Sequence, residues 1–314
     1  MQRFKNILLV YDDSPEGKAA MHRAVQLAID NDARLKLVDV QEDIPDSESM
    51  LIPKKKPGTF QNMAIKCRVR EMEKFVAPFI KNGLTTETRV LIGVPFIRII
   101  QEVLKFEHDL VIKVARGKRR LNGMVFGTTA MRLLRKCPCP VWIMKPASHN
   151  GYQKIMAAVD PGPVNDEKNR LNHLIMELAA SLAILEHCHL HVVHAWKPPG
   201  MTRFGASSGK IPRESLKRIT AETLGLHRKW THELVHVYAS SVLSTRIHLL
   251  KGMPEKLIPR LAQNLDVDVI VMGTLCRTGI AGFFIGNTAE KVLQQVDCSV
   301  LTLKPEAFVT PVAL

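Results

Sequence analysis

Short apolar runs recur along the chain: KNILLVYD at 5–12 and QKIMAAVD at 153–160, each ending in aspartate, then LKLVDV at 35–40, LVIKV at 110–114, LHVVHA at 190–195 and VIVMG at 269–273. In LVIKV and VIVMG the hydrophobicity is nearly continuous rather than alternating. That predicts strands covered on both faces, as in the middle of a parallel sheet. Between the runs, apolar residues fall at helical spacing. Ser14-Pro15 predicts a helix start, with an N-cap and a proline at the first helical position. Ala20/Met21, Ala24/Val25 and Leu27/Ala28 then mark its buried face. Residues 213–238 predict one helix whose buried stripe is Leu216, Ile219, Leu226, Trp230, Leu234 and Val237. Strand and helix alternate throughout, which predicts right-handed crossovers and a doubly wound sheet.

The pattern occurs twice. Asp12 matches Asp160, LKLVDV matches LHVVHA, Gly93-Val94-Pro95 matches Gly252-Met253-Pro254, and Asp109-LVIKV matches Asp268-VIVMG. Gly127-Thr-Thr-Ala matches Gly286-Asn-Thr-Ala, and Cys139-PVWIMKP matches Cys298-SVLTLKP. The offset is 148 at the first strand and 159 from the Gly-x-Pro onward, so the second copy carries an insertion after its first helix or second strand, much of it expected in the Pro/Gly/Ser-rich stretch 197–212. The expected fold is two tandem α/β sandwiches, residues 1–146 and 151–307, each with a five-stranded parallel sheet in the order 3-2-1-4-5. Ligands of such sheets bind beyond the carboxyl ends of the strands, where the strand order reverses. Those ends are Asp12 and Val114 in one half, and Asp160 and Gly273 in the other.

Charge changes this picture little. The net charge is +14, gathered in Lys54-Lys55-Lys56, Lys118-Arg119-Arg120 and Arg132/Arg135/Lys136. Aromatic residues make up 5% and do not interleave with these clusters, so no stacking platform for single strands is present and nucleic acid is not an expected partner. Six cysteines lack any C-x-x-C spacing and are expected to be reduced thiols. No apolar run approaches the ~20 residues of a membrane span. The first apolar run stops at an aspartate pair and reads as a strand rather than a signal peptide, so a cytoplasmic protein is expected.

Several stretches suggest metal or phosphate chemistry. His232-Glu-Leu-Val-His236 has the H-E-x-x-H spacing of zinc peptidases, with Glu255 downstream. At about 100° per residue the two histidines lie about 200° and 240° from Trp230, away from the buried stripe. A zinc peptidase is therefore not expected. His187, His189 and His191 share a face by strand alternation but bring no further ligand, and no metal centre is expected. Gly205-Ala-Ser-Ser-Gly209-Lys210 is one residue short of a P-loop and ends in Ile211 rather than Ser or Thr. Cys137-Pro-Cys139-Pro is expected to pack in the core. A stronger phosphate signal follows the fourth strand of the second half. There Gly273-Thr-Leu-Cys276-Arg277-Thr-Gly279 leaves the strand, and Gly286 precedes Asn287 and Thr288 at a helix start.

These features together resemble the universal stress protein domain, repeated in tandem over nearly the whole chain. The resemblance rests on Asp12 and Asp160, the Gly-x-Pro turns, LLRKCPCPVW and RTGIAGFFIGNTAEKVL. It implies a stress-response regulator that binds ATP-class nucleotide, with Mg²⁺, through G-x-x-G, nine residues, then G-[S/T/N]. In the second half this pattern falls on Gly273, Cys276, Gly286 and Asn287, with Thr288 beside them. By the same resemblance Asp160 is expected to face the ribose or adenine, and the backbone near Ala195 to meet the adenine edge. In the first half the corresponding residues are Asp12, Val40, Gly117, Gly127 and Thr128. Cys276 departs from the motif by replacing a glycine, and Val114 replaces the first glycine of the other half, so the second half is the better expected site. No general base is evident and at most slow, incidental hydrolysis is expected. Protein partners and a homodimer are compatible with the resemblance. The alternative is a scaffold with degraded pockets, or a binder of apolar or anionic ligands.

Overall fold

The computed structural model describes residues 3–42, 59–115, 119–120, 123–124, 126–145, 151–163, 166–198, 213–239, 242, 244–274 and 286–314. The chain divides into two compact units. Residues 1–116, 127–146 and 309–314 make the first, and 117–126 with 147–308 the second.

In the first unit the parallel strands are β1 (Asn6–Val10), β2 (Arg34–Gln41), β3 (Thr86–Ile92), β4 (Leu110–Val114) and β7 (Val141–Met144); β5 (Arg119–Arg120) and β6 (Gly123–Met124), which count with the second unit, form a separate antiparallel ribbon. Helices α1 (Pro15–Asp30), α2 (Thr59–Ile80), α3 (Pro95–Phe106) and α4 (Thr128–Lys136) connect the five. The spatial order is β3-β2-β1-β4-β7. The second unit repeats it as β10-β9-β8-β11-β12. Its strands are β8 (Lys154–Ala158), β9 (His189–Trp196), β10 (Thr245–Lys251), β11 (Val269–Gly273) and β12 (Ser299–Leu303). Its helices are α5 (Asp166–Leu185), α6 (Arg213–Ala239), α7 (Pro254–Asn264) and α8 (Asn287–Leu293). Each sheet therefore has the expected order 3-2-1-4-5. The central strands β1, β4, β8 and β11 form the core, with Ile7, Leu8, Leu9, Val111, Ile112, Ile155, Met156, Ile270 and Val271 fully buried.

Local chemistry explains the matching positions. The Asp109 carboxylate accepts from the backbone N–H of Lys5 and Asn6 at 2.6 and 3.1 Å. Asp268 does the same for Gln153 and Lys154 at 2.7 and 2.9 Å. Each aspartate fixes the start of the fourth strand beside the first. Left-handed residues also recur in pairs, Asp32 (φ 48°) with His187 (φ 50°) and Glu107 (φ 54°) with Asp266 (φ 48°). Gly93 and Gly252 sit at φ 125° and 144°, which a side chain rarely tolerates, and the proline two residues on opens the next helix.

Two expectations are corrected. Equivalent residues are offset by 148 at Asn6/Lys154, by 155 at Leu35/Leu190 and by 159 at Thr86/Thr245. Going from 148 to 155 adds seven residues between the first and second strands, and from 155 to 159 only four afterwards. Most of the insertion therefore lies around α5 rather than in 197–212. The second correction concerns α6. The helix forms and Leu234 is buried as expected, but Leu216, Leu226 and Val237 are exposed, while Thr231 and Val235 are buried.

Candidate functional site at the strand ends

The strand order of the second unit reverses between β8 and β11, and their carboxyl ends gather the chemistry. The chain leaves β11 through Gly273 and Thr274. It returns at Gly286, whose N–H donates to the Thr274 carbonyl at 3.3 Å. Both ends of the glycine loop are thereby brought to one place, with Asn287 and Thr288 exposed at the start of α8. The first N–H groups of any helix lack intrahelical acceptors, and here Gly286 supplies no side-chain cap. Thr274 is buried, and its hydroxyl lies 3.1 Å from the Lys304 ammonium. Sequence reasoning missed Thr274 and Lys304. The usable signal was the repeated Lys-Pro after the last strand of each copy, Lys145 and Lys304.

Gly273 also has a packing role. A Cβ there would meet Leu171 Cδ2 at 2.7 Å and Ile175 Cδ1 at 3.5 Å, so its absence lets α5 lie against the strand end. Asp160 is half-exposed, and its N–H donates to Asn172 Oδ1 at 2.9 Å. Its Oδ1 lies 3.8 Å from Nδ1 of the buried His194. His194 Nδ1 is 3.2 Å from the Val159 carbonyl, and Nε2 is 2.8 Å from His227 Nδ1. A carbonyl only accepts, so His194 Nδ1 carries a proton; in neutral His194, Nε2 then accepts from His227. Trp196 stacks on His227 and Trp230 meets it edge-on, with centroids 5.4 and 5.2 Å away. Ala195, half-buried beside His194, pairs with Leu250 in the sheet.

The same positions in the first unit are built differently. Asp12 is buried, and its carboxylate accepts from Ser14 N and Oγ at 3.0 and 2.6 Å. Ser14 Oγ in turn caps α1 by accepting from Gly17 N. Val114 is buried where the second unit has Gly273. Asp39 and Arg68 stand where the second unit has His194 and His227. Arg68 reaches from α2 to Asp39 at 2.6 Å, Asp13 at 2.7 Å and Glu71 at 2.9 Å, with its guanidinium over the Tyr11 ring. Burial pulls the Arg68 pKa down, but the three carboxylates outweigh it and keep the cation charged. The arginine thus ties together the ends of β1 and β2. Val40 and Gly127 are half-buried and Thr128 is exposed at the start of α4. Gly117 and Cys276 lie outside the described residues, as do Lys54–Lys56 and the 205–210 stretch.

His232 and His236 are exposed on α6, and Glu255 belongs to α7. Among the described residues no group of three or more His, Cys, Asp or Glu side chains is placed to hold a metal ion. His187 precedes β9 in a left-handed turn and His189 is exposed, whereas His191 is buried, its Nδ1 3.0 Å from His248 Nε2. Burial first, and then His248, depress His191 to about 4; burial and Arg246 lower His248. The pair occupies the positions held in the first unit by Lys36 and Arg89, where Lys36 is buried against Glu102 at 2.7 Å.

The sequence profile described as the universal stress protein family matches residues 3–145 and again 151–304. Universal stress protein E of Escherichia coli (strain K12) is 30% identical over 317 residues, covering 100% of this chain and 98% of that one. The protein of that name from Salmonella typhi is 30% identical over 319 residues, with the same coverage of both chains, 100% and 98%. The crystal structure of a functionally unknown protein, PA1789 of Pseudomonas aeruginosa PAO1, superposes with a TM-score of 0.70 at 27% identity, over 97% of this chain and 94% of that one. No helix among the described residues is long and apolar enough to cross a membrane.

Proposed function

Because the chain belongs to the universal stress protein family, we propose that it is a cytoplasmic stress-response regulator that binds an ATP-class nucleotide, with Mg²⁺, at the strand ends of its second unit. One observation carries this reading: the return of Gly286 to Thr274 beside Lys304 and the half-exposed Asp160. Gly273, Cys276, Gly286, Asn287 and Thr288 would face the phosphates, where backbone amides and the Lys304 ammonium offer positive charge. Asp160 would meet the ribose or adenine and the Ala195 backbone the adenine edge. Mg²⁺ would offset phosphate charge, and hydrolysis would be at most slow and incidental. Its output is a ligand-dependent change in binding to protein partners, or to a second copy of the chain. In the first unit the Arg68 cluster favours the scaffold reading, a sandwich whose strand ends are closed by its own side chains.

Calorimetric titration with ATP and Mg²⁺, together with analysis of nucleotide released on denaturation, tests the proposal. Saturable heat or released ATP or ADP is expected. No heat and no thermal shift at millimolar ATP would leave the scaffold reading for both units. Cys276→Gly is expected to tighten binding by relieving the loop.

A further inference from the structure

The last strand of the first unit is entered through Cys137-Pro138-Cys139-Pro140. Cys137 caps the end of α4, its N–H donating to the Leu133 carbonyl at 2.9 Å, and the Pro140 carbonyl accepts from Val111 N at 3.0 Å. The segment is pinned on both sides. Between the pins the two sulfur atoms lie 3.6 Å apart. Their exposure is unequal: Cys137 is fully buried and Cys139 half-buried.

The second unit shows what packing alone requires here. By the 159-residue offset of this part of the repeat, Cys139 corresponds to Cys298 and Cys137 to Val296, both buried. An aliphatic side chain suffices at the Cys137 position, so its thiol is an addition in the first unit. A half-buried thiol with a second thiol in contact behind it has the arrangement of an attacking and a resolving cysteine.

We propose that Cys137 and Cys139 form a reversible disulfide pair, oxidised by a low-molecular-weight disulfide of the glutathione disulfide class. Cys139 loses its proton and attacks one sulfur of that disulfide, forming a mixed disulfide and releasing one thiol. Cys137 then loses its proton and attacks the Cys139 sulfur, which expels the second thiol. The pair gives up two electrons and two protons, and the small disulfide leaves as two thiols. Closing the bond brings the sulfurs from 3.6 Å to about 2.05 Å, which draws the end of α4 toward the entry of β7. The hydrogen bond with Cys137, and then burial, raise the Cys139 thiol well above its usual 9.0. Exchange is therefore slow at neutral pH and its rate is still climbing at pH 9.0.

The test is incubation of the full chain with excess glutathione disulfide, alkylation and tryptic mass mapping. Trypsin cuts after Lys136 and skips Lys145-Pro146, so both thiols travel in peptide 137–154, which has no other cysteine. In the wild type that peptide is expected two hydrogens lighter and closed to alkylation, reopening with excess glutathione. Cys137→Val copies the second unit and so is expected to fold. It should retain a glutathione adduct at Cys139, extending that adduct's lifetime by roughly tenfold or more. A wild-type peptide that stays open to alkylation at both cysteines, or that accumulates the adduct as the variant does, would overturn the pair.

Discussion

Gly273 and Leu171 compete for one volume, and this pair separates packing from ligand binding at a single residue. The Cβ of any other residue at 273 would press on Leu171 Cδ2 at 2.7 Å. The first unit resolves the same junction with sizes exchanged. Met21 meets the N–H of Asp12 as Asn172 meets that of Asp160, so the residues before them, Ala20 and Leu171, are counterparts, opposite Val114 and Gly273. Gly273→Val is expected to cost about 1–3 kcal/mol through overpacking. Leu171→Ala in the same chain should recover part of it, read as a coupling in urea denaturation. If Gly273 serves the phosphates as well, the double variant regains stability without regaining nucleotide affinity. The glycine was legible in the sequence because its spacing to Gly286 is a local pattern. Leu171 was not, since only the placement of α5 over β11 shows which side chain the glycine admits.

At the scale of the element, α6 shows what periodicity conveys and what it omits. The three-to-four spacing located the helix to within one residue at its end, yet the phase was displaced, with Leu226 50% and Val237 60% exposed. The inner face carries polar residues that find partners there. Thr231 is fully buried with its hydroxyl on the His227 carbonyl at 2.7 Å, and His227 meets His194. A pattern counted from apolar residues alone turns such a helix by about one position, or about 100°. Both inward-facing histidine pairs were illegible for the same reason, since their partners come from different elements. The His191–His248 pair makes a pH prediction. Burial first, then His248 and the positive charge of Arg246 and Lys154, favour the neutral form of His191 in the fold. Its folded pKa of about 4 lies below the ordinary 6.5, so the unfolded chain takes up the proton first. The contribution of His191 to stability is nearly constant above pH 6.5, falls between pH 6.5 and about 4 by about 3 kcal/mol at most, and changes no further below that. His191→Leu should reduce this acid loss, measured as urea midpoints at pH 7 and pH 4.5 on the scale of ~2 kcal/mol.

For the whole molecule, doubling one α/β unit made the fold legible from sequence, because four strands of each sheet and the Gly-x-Pro turn were written twice. The functional difference between the copies was less legible. Val114 against Gly273 could be read directly, but the Arg68 cluster could not, because its four members are spread from Asp13 to Glu71. That cluster decides the stoichiometry we expect. In the first unit the strand ends are tied by a permanent cation to Asp13 and Asp39, Asp12 is committed to Ser14, and Val114 fills the strand exit. In the second, the corresponding histidine pair replaces that ion-pair cluster, Asp160 is half-exposed and Gly273 carries no side chain at the strand exit, where Leu171 packs against it. One nucleotide per chain is therefore expected by calorimetry. Arg68→Ala combined with Val114→Gly should add a second, weaker binding event while leaving the first affinity unchanged. The partly exposed ion pairs contribute only about 1 kcal/mol, so the Arg68 change alone should leave the first unit folded. Two equivalent sites in the wild type would mean that Arg68 moves aside for the ligand. A single site unchanged in the double variant would mean that the first unit lost its pocket through more than these two residues.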